Sequence, residues 1–161
     1  MLNFDVLDYV NKHADTIFLS TGMATIKEIK SALSHLKNVK NCYILHCVTQ
    51  YPCKDEEANL KAITALQKQF KFPVGYSDHT IGTEACIAAV VLGAKVIEKH
   101  FTFDKECSQG TDHILSATAD EFRKMVEDMA RVTNMLGKEK KGPTKGEKKI
   151  LNFVRKRFLE N

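Results

Sequence analysis

Long apolar runs are missing from this chain: nowhere in its 161 residues do 18 apolar residues follow one another, and no apolar stretch behind basic residues opens it. Neither a membrane-spanning helix nor a secretory leader is therefore expected, and the expected compartment is the cytoplasm. Paired cysteines are missing too. The five cysteines, Cys42, Cys47, Cys53, Cys86 and Cys107, are odd in number and include no CxxC pair, which argues against a disulfide framework and against a structural zinc site. No glycine repeat of the phosphate-cradling kind occurs, and Gly22 and Gly82 read as turn residues. A strong charge of one sign is also lacking. The formal net charge is +4, with much of the basic excess after residue 137 in "GKEKKGPTKGEKK" and "RKR". That segment reads as a solvated tail and not as a nucleic-acid surface, and the mild positive field would weakly favour an anionic small molecule.

What is present is enough apolar content, 43%, to bury the core of about one domain. Short β-branched or apolar runs alternate with longer stretches of helical spacing. The runs "TIFLS" (16–20), "YILHC" (43–47), "PVGYS" (73–77) and "KVIEK" (95–99) are predicted strands. Helices are predicted at about 25–37, 55–70, 82–92 and 118–136. Thr25 with Glu28, Thr118 with Glu121 and Thr144 with Glu147 each fit a capping box at a helix start. Strands separated by helices form βα units, whose right-handed crossovers give a parallel sheet covered by helices.

Residues 74–102, "VGYSDHTIGTEACIAAVVLGAKVIEKHFT", hold His79 and His100, each at the end of a predicted strand. In a parallel α/β sheet the strand C termini share one side, where ligand sites gather. Neighbouring strands lie about 4.8 Å apart, so two imidazoles in these places can converge on one metal ion. For either histidine alone, a buried ring bonded to backbone is the ordinary alternative; the pair at matching positions raises ligation. Polar residues accompany them: Thr49 and Tyr51 after the second strand, Ser77 and Asp78 on the third, Glu98 and Lys99 on the fourth. Each would cost free energy if buried without a partner.

With "FLSTGMATIKEI", "ILHCVTQYP" and "QGTDH" in this order and at these separations, the segment resembles the sialic acid synthase family, which makes N-acetylneuraminate and related nonulosonates such as legionaminate and includes the spore-coat polysaccharide synthases. The likeness covers about residues 1–137. It implies a TIM (β/α)8 barrel that condenses phosphoenolpyruvate with an N-acetylated amino sugar such as N-acetylmannosamine, using a divalent metal, manganese or magnesium. By motif match, His79 and His100 would be metal ligands, and with Asp112 the catalytic residues. Ser77 would contact phosphate and Tyr51 the sugar. Thr49 stands where the family usually has asparagine or serine, and offers one hydroxyl donor in place of an amide's two. Asp112, in "QGTDH", would bind sugar hydroxyls where the family more often shows PGPD or KGSD. His46 and His113 are expected to orient the site, Cys47 to be a small buried hydrophobe, and His13 and His35 to lie on helix surfaces.

An eight-stranded barrel takes at least about 200 residues, and four βα units are visible. The chain is therefore expected to be the C-terminal half of such a barrel, residues 1–137, with a basic linker and terminal helix in 138–161. Such a half leaves two strand edges and an apolar sheet face uncovered, which favours association. Expected partners are the two small-molecule substrates and either further copies of the chain or an N-terminal half barrel; no membrane partner is expected. Little activity is expected of the chain alone. The competing reading is a catalytically silent α/β module that binds a metal or ligand and self-associates, with a metal-dependent hydrolase third.

Overall fold

The structure, a computed structural model, describes residues 3–107 and 112–159. Four strands, β1 (Thr16–Ser20), β2 (Asn41–His46), β3 (Val74–Asp78) and β4 (Ile97–Lys99), form one sheet in the order β1-β2-β3-β4. All three pairings are parallel. The helices are α1 (Phe4–His13), α2 (Ile26–Ser34), α3 (Lys61–Gln69), α4 (Glu84–Val91), α5 (Ala119–Leu136) and α6 (Lys145–Leu159). The expected α/β half barrel is what forms.

Alternation along the strands gives the sheet two faces. Ile44, Val74 and Tyr76 point to the helix layer, where they pack with Ile29, Ile63, Leu66 and Ala89. Leu19 and Cys42 join Leu7, Ala32 and Leu36 in a second cluster on the same side. Phe18, Tyr43, Leu45, Gly75, Ser77 and Glu98 point the other way. That face is open: Phe18, its ring centroid 5.2 Å from Tyr43, stays 52% exposed. At Gly75 a Cβ would lie 2.7 Å from the Val96 carbonyl oxygen and 2.5 Å from Leu45 Cδ2, so glycine lets β3 and β4 approach there.

All three capping boxes are made. The hydroxyls of Thr25, Thr118 and Thr144 accept from the amides of Glu28, Glu121 and Glu147, and each glutamate accepts from its threonine's amide. Three expectations are corrected. Helix α1 has no counterpart among the predicted elements. The helix expected over 55–70 is split into a 3-10 turn, Asp55–Glu57, and α3, because Asn59 takes φ 45°, a left-handed conformation that interrupts an α-helix. Gly22 owes its place to a close approach as much as to a turn: a Cβ would fall 2.1 Å from Thr49 Oγ1, and the positive φ there belongs to Met23. Gly82, at φ 89°, is the turn residue expected.

Candidate active site

The C-terminal ends of β3 and β4 place one set of side chains on the open face. His79 follows β3 and His100 follows β4, and their ring centroids stand 5.4 Å apart, nearly perpendicular. His79 is buried. Its Nδ1 lies 2.7 Å from the Val48 carbonyl, which only accepts, so Nδ1 carries the proton and Nε2 presents its lone pair outward. The Tyr51 ring lies 4.1 Å from that of His79 and 5.8 Å from that of His100, walling the pair on one side. Burial, then the nearby Cys47, Asp112 and Glu98, hold the Tyr51 phenol above its ordinary value, so it is a neutral hydroxyl donor here. Asp112 Oδ2 is 3.6 Å from His100 Nδ1. Gln109, Gly110 and Thr111, the start of "QGTDH", lie outside the described residues.

Ser77 and Glu98 are register partners. The buried Ser77 hydroxyl donates to Glu98 Oε1 at 2.6 Å. A serine has one proton to give; an anion bound at Ser77 would compete with Glu98 for it. Glu98 keeps its second carboxylate oxygen for other donors. The Thr49 hydroxyl sits against Gly22, which follows β1.

One expected role is corrected. His46 faces the helix layer, where Nε2 donates to the Ala58 carbonyl at 2.9 Å, and burial lowers its pKa. It ties β2 to the loop before α3. His113 lies 2.7 Å from Thr102 Oγ1, whose own proton goes to the Asp104 carbonyl, so His113 braces its loop. Cys47 is the buried thiol expected, with its pKa raised by burial. His13 is exposed at the end of α1, and His35 caps α2 with Nδ1 2.7 Å from Asp8.

Asp78 and Lys99, grouped with the site residues by sequence, face the other way as a buried ion pair. Strand alternation was the signal that could have separated them from Ser77 and Glu98. A cavity of about 510 Å³ also opens on that side, between the turn before α3 and the start of α4, lined by residues that include Asp55, Asn59, Ile81 and Glu84.

Among the described residues no group of three or more His, Cys, Asp or Glu side chains is arranged to hold a metal ion. The donors at hand are two imidazoles, one with its outward nitrogen fixed as a lone pair. Such a set fits an exchangeable divalent cation whose remaining positions go to water and substrate oxygen, and does not fit a closed structural zinc site.

Comparison with known proteins supplies the lineage. The N,N'-diacetyllegionaminic acid synthase of Campylobacter jejuni is 44% identical over 161 residues, 98% of this chain and 48% of that one. The N-acetylneuraminate-9-phosphate synthase of Mus musculus is 37% identical over 145 residues, 89% of this chain and 39% of the other. The crystal structure of the N-acetylneuraminic acid synthetase of Leptospira borgpetersenii superposes with a TM-score of 0.84 at 36% identity, covering 95% of this chain and 54% of that one. The chain thus spans about half the length of the relatives it matches. The NeuB family domain matches residues 1–141, and on that match and these likenesses the chain belongs to the NeuB family.

Proposed function

We propose that this chain carries the metal-binding half of a nonulosonate synthase site, which joins phosphoenolpyruvate to an N-acetylated amino sugar such as N-acetylmannosamine and releases phosphate. The observation that carries the reading is the convergence of His79 and His100 on the open face, beside the Ser77–Glu98 pair. The names of the relatives support the reaction class. In the reaction, C3 of phosphoenolpyruvate bonds to the sugar's aldehyde carbon, water adds at C2, and the C–O bond to phosphate breaks.

His79 and His100 would hold the cation, manganese or magnesium. When bound there, it would act as a Lewis acid on the aldehyde oxygen. The other residues work without it. The Val48 carbonyl keeps the His79 lone pair aimed at the site. The Tyr51 ring and the Asp112 carboxylate both lie beside His100, and the phenol and the carboxylate would bind the sugar's hydroxyls. Ser77 donates to a phosphate oxygen when its proton swings away from Glu98. The Glu98 carboxylate, released by that swing, takes the proton of the attacking water, a general-base contribution of about 10²–10⁴. Electrostatic groups on the remaining strands of the barrel would complete the phosphate cradle.

The test mixes this chain with a separately expressed half barrel carrying the first four strands. Phosphate release from phosphoenolpyruvate is then followed with N-acetylmannosamine and manganese. Activity that disappears in both His79→Ala and His100→Ala supports the reading. Manganese binding without activity in any complementation supports the silent-module alternative.

A further inference from the structure

Behind each open-face residue of β3 and β4 stands a neighbour pointing into the helix layer, and one pair of these neighbours is charged. Asp78 and Lys99 are register partners. The Lys99 ammonium lies 2.8 Å from Asp78 Oδ2, with the two side chains 1% and 0% exposed. Asp78 Oδ1 accepts from the Tyr76 hydroxyl and from both the amide and the hydroxyl of Thr80; Oδ2 accepts from Lys99 and the Cys86 thiol. Lys99 also donates to the Thr80 carbonyl. The desolvation of two buried ions offsets most of their attraction, and apolar or neutral replacements are often as stable. Net stability therefore gives little reason for a charged pair at this place.

Its position in the ladder gives a better one. The β3–β4 ladder has three register pairs, of which Asp78↔Lys99 is the last. His79 and His100 come one residue later, where the ladder has stopped. Strand β4 is three residues long and lies at the sheet's edge, so few other bonds tie its end to β3. Backbone bonds pin the two histidines to separate segments: the His79 carbonyl accepts from the Cys53 amide, and the His100 carbonyl from the Ala117 amide. Neither bond fixes one ring relative to the other.

The geometry points to Asp78 and Lys99 as the positioning pair of the site, a buried tie that sets the spacing of His79 and His100 and, one residue back, the Ser77–Glu98 contact. Neither side chain reaches the open face. The inference rests on the proposed function only for why the spacing matters, because the tie is a property of the free chain.

The test is the double variant D78N/K99M of the whole chain, studied without metal. Asparagine keeps an oxygen for Tyr76 and Thr80, and methionine removes the ammonium without leaving an unpaired charge. Long-range ¹⁵N–¹H spectra report the tautomer of each imidazole, and nuclear Overhauser contacts report ring proximity. We expect a urea midpoint equal to or above the wild type, with loss of the His79–His100 contact, while the Nδ1–H signature of His79, held by the Val48 carbonyl, persists. A folded double variant that keeps the His79–His100 contact overturns the inference. Should the variant not fold, hydrogen exchange on the wild type decides: Thr80 and His100 amides opening together support the tie, and protection factors differing by more than about tenfold, or 1.4 kcal/mol, overturn it. A parallel manganese titration of the wild type separates the two readings. Absence of binding counts against the metal site, while the His79–His100 contact still decides the tie.

Discussion

A side chain near the end of β3 or β4 meets one of two environments according to its place in the alternation. Ser77, His79, Glu98 and His100 meet the open face, while Asp78 and Lys99 meet the helix layer. His79→Ala and His100→Ala are each expected to weaken manganese binding by at least about tenfold, or 1.4 kcal/mol, read from the resonance of free manganese. Glu98→Gln should lower kcat of the complemented enzyme by about 10²–10⁴ with little change in KM for phosphoenolpyruvate, since glutamine still offers Ser77 an oxygen. Asp78 carries a pH signature. Burial alone would raise its pKa from 3.8, but the hydrogen bonds from Lys99 and Thr80 and the Lys99 charge outweigh it, and the folded value is lowered. A carboxyl that binds its proton less readily when folded contributes stability in full above the unfolded value, and loses it as pH falls through the folded one. Urea midpoints of the wild type should therefore drop below about pH 4, and those of D78N/K99M should drop less. At this scale the strand-end motifs lead to His79, His100, Ser77, Tyr51 and Asp112. They do not show that Thr49 lies against Gly22, since a contact between two loops has no local pattern.

The strands, four of the helices and the three capping boxes follow from local spacing and end chemistry, and apart from the start of α3, which falls at Lys61 and not near 55, their positions agree to within a few residues. Helix α1 escapes because its apolar residues do not share a buried stripe: Leu7 is buried while Phe4, Val6 and Tyr9 are exposed, and the start depends on Asn3 accepting from the Val6 amide. The predicted strand 95–99 is shortened to Ile97–Lys99, although the Lys95 amide and Val96 carbonyl still bond to β3. Thr118→Ala removes the side-chain cap of α5 and should cost about 1 kcal/mol by chemical denaturation. Gly75→Ala should cost about 1–3 kcal/mol, because its Cβ meets the Val96 carbonyl and the backbone of β4 must move away. The same variant should loosen the Ser77–Glu98 contact, two residues further along both strands.

Taken whole, the chain is a curved sheet covered on one face only. No helix of the described residues is long and apolar enough to cross a membrane. The half-barrel architecture was legible because βα repetition is a local pattern with a fixed handedness. What covers the open face was not, because that depends on surfaces beyond these strands. Phe18 on that face should drive association of the chain alone, seen as a concentration-dependent sedimentation coefficient, and Phe18→Lys should shift it toward monomer.

The four strands share one polarity, and this restricts what can close the ring. Both free margins run in the same direction, so a completing sheet must run that way too. Were a second copy to supply it, the twofold axis would coincide with the axis of the cylinder. Both sets of imidazoles would then emerge on a single rim, giving one mouth with two histidine pairs and leaving the opposite end without them.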